Sequence, residues 1–238
     1  MSKVVIANSK MVADVLIKQE NVSPDKVNVM YYGYQLDEFT PKTERVNQLK
    51  LKYNLTEKHP IIGVISRFTH WKGVQDIIPA FAKFLVKYPN AKLVLANAKG
   101  NYATEIHELL NKVLTPDSYV LIEFEEEIFA LYKTFDQFIH TPVNKDVEAF
   151  GQIYIESLLM EIPSIFTLSG IASEIAVDRK NSLVVPHCDS EAIYDAMITL
   201  IEEPDLRERL KKQGRKDILS NFQALRLAQE LDALYSKL

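Results

Sequence analysis

Glu148-Ala-Phe-Gly-Gln-Ile-Tyr-Ile-Glu156, continued by Ser157-Leu-Leu-Met-Glu-Ile-Pro163, reads as a loop that turns at Phe150-Gly151, winds into a helix and is stopped by Pro163 ahead of a strand. Ile153, Ile155, Leu158 and Leu159 supply its apolar row. Glu148 and Glu156 stand eight positions apart. If both were helical they would lie ~80° apart around the axis and ~12 Å along it, too far to share one proton or one metal ion. Such a pair serves different parts of one elongated ligand. Gly151 sits next to the helix N-terminus, where free N–H groups and the helix dipole favour an anion such as phosphate.

Outward from this stretch, short apolar runs alternate with segments of helical period. The runs at 4–7, 27–30, 61–66, 92–96, 119–124, 137–140, 164–167 and 183–185 predict strands. Between them, Val74/Ile77/Ile78/Phe81/Phe84/Leu85, Ile106/Leu109/Leu110/Val113 and Ile193/Ala196/Met197/Leu200 predict helices that cover a core. Strand then helix, repeated, is the pattern of a parallel sheet with right-handed crossovers. The chain is therefore read as α/β, a single doubly wound (Rossmann-like) domain over 1–238. Residues 33–59 read as a connecting segment and 189–238 as extra C-terminal helices. The strand at 4–7 starts almost without preamble, as though a preceding part were missing.

The 238 residues are 47% apolar and 25% charged, an ordinary globular balance. A net charge of -4 supplies no basic field for nucleic acid, and no nucleic-acid partner is expected. The single Cys188 excludes an internal disulfide and fits a reducing, cytoplasmic setting. No apolar run reaches the ~18 residues of a membrane span.

In open α/β sheets ligands gather beyond the carboxyl ends of the strands. After the run at 61–66 comes Arg67-Phe-Thr-His-Trp-Lys72-Gly73, which puts two cations at one loop mouth, a planar fork and a point charge suited to a diphosphate, although taken alone the pair reads first as solvated surface cations. His70 reads as an incidental loop residue and His140 as packed. His187-Cys188 lack a second group at ligand spacing, and no metal site is expected. Glu125-Glu126-Glu127 read as the acidic first turn of a helix.

These motifs resemble retaining glycosyltransferases of family 4. Glu148-Ala-Phe-Gly-Gln-Ile-Tyr-Ile-Glu156-Ser157 is similar to that family's E-G-F-G-L-x-x-x-E-A, and Ser66-Arg67-Phe-Thr-His-Trp-Lys72-Gly73 to its G-R-x-x-x-x-K-G. Val5-Ile-Ala-Asn-Ser9, Val27-Asn-Val-Met-Tyr-Tyr-Gly33 through Phe39-Thr-Pro41, Ser169-Gly-Ile-Ala-Ser-Glu174 and Asn181-Ser-Leu-Val-Val-Pro186 extend the likeness over nearly the whole chain. By order and spacing this resembles the C-terminal, nucleotide-sugar-binding half of a GT-B glycosyltransferase, without the N-terminal acceptor domain.

The resemblance implies a hexosyltransferase site with a nucleoside-diphosphate sugar as donor and no metal or other cofactor. It gives catalytic roles to Glu148, Arg67 and Lys72. Arg67 and Lys72 would grip the pyrophosphate, the backbone at Phe150 and Gly151 would meet phosphate or sugar, Glu148 the sugar, and Glu156 the ribose. It also implies that the fragment alone is nearly inactive, that the full-length protein works in the cytoplasm, peripheral to a membrane, and that the missing domain is its partner. An exposed stripe at Leu225, Ala228 and Leu231 would favour a homo-oligomer through the last helix.

Departures accompany the likeness: Gln35 for Asp, Ile171 for the second Gly of the G-G loop, Ala96-Asn-Ala-Lys-Gly100 for a G-x-G base loop, and Phe124-Glu-Glu126 for F-x-G. They touch the base and sugar ends and support an alternative, a non-catalytic nucleotide-sugar-binding or assembly module with a degenerate site. Seven glycines, none at G-x-G spacing, argue against a dinucleotide-dependent oxidoreductase. A glycosidase using Glu148 and Glu156 needs carboxyls about 5 to 9.5 Å apart, which the eight-residue spacing opposes.

Overall fold

The computed structural model describes residues 2–35 and 39–237. Six parallel strands, β3 (Ile61–Ile65), β4 (Lys92–Ala96), β5 (Tyr119–Ile122), β6 (Gln137–His140), β7 (Ser164–Phe166) and β8 (Leu183–Val184), lie in the order β5-β4-β3-β6-β7-β8. Register is set by pairs such as Gly63 with Val94, Gly63 with Phe138, and His140 with Phe166.

The strand interiors are apolar on both sides because both faces are covered. Along β3, Ile62 and Val64 enter one core and Ile61 and Ile65 the other. Leu93 and Leu95 against Val94 and Ala96 repeat the alternation along β4. The first core lies under α3 (Val74–Lys87), α4 (Ala103–Val113) and α8 (Ser190–Glu202). The second lies under α2 (Thr43–Lys52), α5 (Ile128–Tyr132), α6 (Gln152–Leu159) and α9 (Pro204–Asn221).

Two expectations change. The strands at 4–7 and 27–30 form as β1 (Val5–Ala7) and β2 (Val27–Val29), but they pair only with each other, in a two-stranded parallel sheet bridged by α1 (Lys10–Lys18). The segment 33–59, read as connection rather than core, does both: Phe39, Leu49 and Leu55 are buried in the second core. Residues 36–38 of that segment, and residues 1 and 238, lie outside the described residues.

The small unit is clipped to the large sheet by polar contacts. Ser9 caps α1 by accepting from Val12 N and donates to Ala149 O at 2.8 Å. Glu174, the last residue of the Ser169–Glu174 motif, accepts from Tyr31 Oη and from Lys10 N at the start of α1. The last helix, α10 (Ala224–Tyr235), closes the far side of the small unit. There Leu227 and Leu231 face Ile6, Val12 and Met30 across a groove of about 420 Å³, and Arg226 donates to Tyr31 O. The predicted stripe is therefore split: Leu231 turns inward, while Leu225 (66% exposed) and Ala228 face outward.

Candidate active site

From β3 the chain winds to β4 and β5 on one side, and from β6 to β7 and β8 on the other. The winding reverses between β3 and β6, where an open α/β sheet leaves a crevice at the carboxyl ends. The loop after β3 (66–73) and the loop after β6 (141–151) border it. Gly73 lets them touch. Its φ is +73°, and a Cβ there would lie 1.8 Å from Thr141 O, so no side chain is accommodated. Val143 N donates to Trp71 O beside it, and this approach delivers Lys72 to Glu148.

Glu148 is 7% exposed. Its Oε1 accepts from Lys72 Nζ in a close ion pair and from His140 Nε2 at 3.0 Å. Burial alone would raise the carboxyl pKa, but His140 and Lys72 outweigh it and hold the group at about 2. Glu148 is an ionised carboxylate. His140, the last residue of β6, is pushed below its ordinary value by burial, against the pull of Glu148. Its neutral ring donates through Nε2, and the buried Nδ1 has no partner among the described residues. His140 is packed as expected, edge-on to Tyr154 at 4.9 Å, and it also holds a site carboxylate. Thr69 Oγ1 and Thr141 Oγ1, on the same two loops, are likewise buried without a partner among the described residues.

Arg67 leaves the end of β3 exposed, and among the described residues nothing pairs with its guanidinium. The two predicted cations thus share a loop in different states, Lys72 bound to a carboxylate and Arg67 solvated. The Phe150 ring is buried against Tyr32 at 4.8 Å, and its carbonyl accepts from Ile171 N at 2.8 Å. Gly151 caps α6 in the left-handed region (φ 86°), with the Tyr154 ring 2.6 Å from where a Cβ would stand.

Glu148 precedes α6, so helical spacing does not relate it to Glu156, which is the fifth residue of that helix. Glu156 accepts from Tyr132 Oη at 3.0 Å. Burial pushes its pKa up, partly countered by that hydrogen bond. Burial and the nearby Glu156 in turn keep the Tyr132 and Tyr34 phenols protonated. The Tyr132–Glu156 contact was missed from sequence; its one signal is a tyrosine amid the apolar residues of 128–132.

The three glutamates at 125–127 are not a first helical turn. α5 begins at Ile128 with Glu127 as its cap, and Glu125 accepts from Lys52 Nζ and Tyr53 Oη. Ile171, in place of a glycine, is fully buried in the second core. Among the described residues no three His, Cys, Asp or Glu side chains gather as a metal cage, and no helix is long and apolar enough to cross a membrane.

Fold and site together define the C-terminal half of a GT-B protein. The family model described as glycosyl transferases group 1 matches residues 46–217, and the chain belongs to that family. It is 27% identical over 240 residues to the capsular polysaccharide biosynthesis glycosyltransferase CapM of Staphylococcus aureus, a match that covers 98% of this chain and 61% of CapM. It is similar in structure to Alr3699/HepE of Anabaena, solved in complex with UDP and glucose, with TM-score 0.91, 20% identity, and coverage of 100% of this chain and 64% of that one. The C-terminal domain of the group 1 family protein LpcC of Francisella tularensis gives TM-score 0.68 at 24% identity, covering 80% of this chain and 99% of that one. At these identities the solved structures speak for the fold.

Proposed function

We propose that this chain is the donor-binding half of a metal-independent, retaining family 4 hexosyltransferase that moves a sugar from a nucleoside-diphosphate sugar to a hydroxyl acceptor. The observation that carries the reading is the meeting of Lys72 and Glu148 at the switch point, a cation for the departing diphosphate beside an ionised carboxylate for sugar hydroxyls. Arg67 supplies a second, unpaired cation, and the amide end of α6 at Gly151 faces the phosphates. Glu156, about one turn along α6, takes the ribose hydroxyls. In this reading the leaving phosphate assists the incoming hydroxyl on the same face of the sugar.

The acceptor and the other wall of the cleft belong to a preceding domain, which the relatives' greater length supports. The β1–α1–β2 unit supports it too, because Ile6, Val29 and Tyr32 stand exposed there. Alone, this chain binds nucleotide weakly and turns over little. One observation favours the second reading, a non-catalytic nucleotide-sugar-binding or assembly module with a degenerate site. The loop 96–100 keeps a single glycine, and Glu125 beside it is already occupied by Lys52 and Tyr53.

Calorimetric titration without added metal, using UDP, GDP, ADP and their sugar conjugates, tests both. Saturable binding of one nucleotide, lost in Arg67→Ala/Lys72→Ala and weakened in Glu156→Ala, is the expected result. A folded chain that binds none of them means that the preceding domain is required for binding, or that the site has degenerated and the chain is a non-catalytic assembly module.

A further inference from the structure

Two donors meet one oxygen of Glu148. Lys72 and His140 both reach Oε1, and among the described residues none donates to Oε2. The two are unequal holders. Lys72 sits at the end of a flexible stem in a loop, and its charge is the one a diphosphate requires. His140 is fixed at the end of β6, between β3 and β7, 1% exposed and against the Tyr154 ring. A donor that takes Lys72 removes the only cation paired with Glu148 among the described residues. A carboxylate this buried would then swing away or take up a proton unless something else retains it.

We propose that His140 is the positioning residue that retains Glu148 while Lys72 transfers to the donor diphosphate. The inference rests on the donor-site reading above. A neutral ring can hold the carboxylate in this way, because it gives one N–H to Glu148 and adds no charge to compete for the diphosphate. A second proton on Nδ1 would be buried without an acceptor among the described residues. Oε2 is left to the sugar hydroxyls. The charged and titratable groups that face His140 are Glu148, Lys72 and Tyr154.

Two measurements on the 238-residue chain test this. Long-range 1H–15N spectra of the imidazoles should show His140 as the neutral Nε2–H tautomer at pH 7, with its Nε2 resonance displaced in Glu148→Gln. An Nδ1–H tautomer overturns the proposal without any ligand. Calorimetry then compares UDP with UDP-glucose for the unsubstituted chain, His140→Leu and His140→Gln. His140→Leu should bind UDP within about twofold of the unsubstituted chain and lose about tenfold in the extra affinity contributed by the sugar. His140→Gln, which keeps an N–H near the Nε2 position, should recover most of it. If the unsubstituted chain gains affinity from the sugar and His140→Leu gains equally, His140 has no such role and the donor-site reading survives. If the unsubstituted chain binds none of UDP, GDP, ADP and their sugar conjugates, the donor-site reading falls and this inference with it.

Discussion

Glu148 and Glu156 are the same residue type, eight positions apart and both largely buried, yet the fold treats them oppositely. Glu148 lies on a loop and meets Lys72, 76 residues away in sequence, and His140. Those partners more than cancel the cost of burial and hold its pKa at about 2. Glu156 lies inside α6 and meets a neutral phenol, Tyr132, so burial prevails and its pKa rises. The strand order makes the difference, because only the adjacency of β3 and β6 brings a cation to the first carboxylate.

The two groups should therefore oppose each other in stability against pH. Glu148, depressed from 4.5 to about 2, contributes on the order of 3 kcal/mol above pH 4.5, lost as the pH falls through 2. Glu156, with a raised value, favours the protonated folded state, so its contribution shrinks as the pH rises through that value.

The most drastic way to break the contrast is to separate the two loops. Gly73→Ala puts a methyl against Thr141 O at a left-handed backbone position, and a loss of about 3 kcal/mol or more is expected in urea unfolding. A loss under about 1 kcal/mol would mean that the loops do not need this approach. Next is Lys72→Met, which leaves Glu148 buried without its cation and should destabilise the chain by about 2–4 kcal/mol at pH 7. Because Glu148 would then titrate closer to 4.5, the deficit should shrink in acid and be nearly gone at pH 2. Urea midpoints from pH 2 to 8 measure this, and a pH-independent loss would show that Lys72 acts through packing alone.

What could be read from sequence follows the same line between local and long-range information. The six-stranded sheet was legible because β3, β4 and β6 are buried on both faces and carry short apolar runs, with polar side chains only at the ends of β4 (Lys92) and β6 (Gln137, His140). The grouping of the strands was not. β1 and β2 have the same apolar composition as the rest, and nothing local says that they pair apart from the large sheet. Leu49 was hidden because α2 is mostly polar and buries only that one of its ten residues, and Phe39 and Leu55 because they stand singly in the segments flanking it. At the site, Arg67, Lys72, Glu148 and Glu156 stood out as residue types at motif positions. The His140–Glu148 contact did not, since a histidine closing a strand has the same spacing whether it is idle or not. Tyr132 was invisible for the same reason, because its hydroxyl finds Glu156 only through the packing of α5 on α6.

Smaller changes sharpen the Glu156 side. Tyr132→Phe removes the donor to a buried carboxylate and should cost about 1–2 kcal/mol at pH 8, less near pH 4, where the protonated carboxyl no longer depends on a donor. Glu156→Gln should do the reverse. The amide fills the same space and still accepts from Tyr132, but carries no charge to desolvate, so a gain on the order of 1 kcal/mol is expected at pH 8, vanishing near pH 4. Glu148→Gln, by contrast, should lose stability at pH 8, because Lys72 is then left with an amide for a partner. If both substitutions shift stability in the same direction at pH 8, the two carboxylates are not held in opposite states. If the signs differ, Glu156 is a group kept at a stability cost, which the packing of α6 alone does not require and a ribose ligand would.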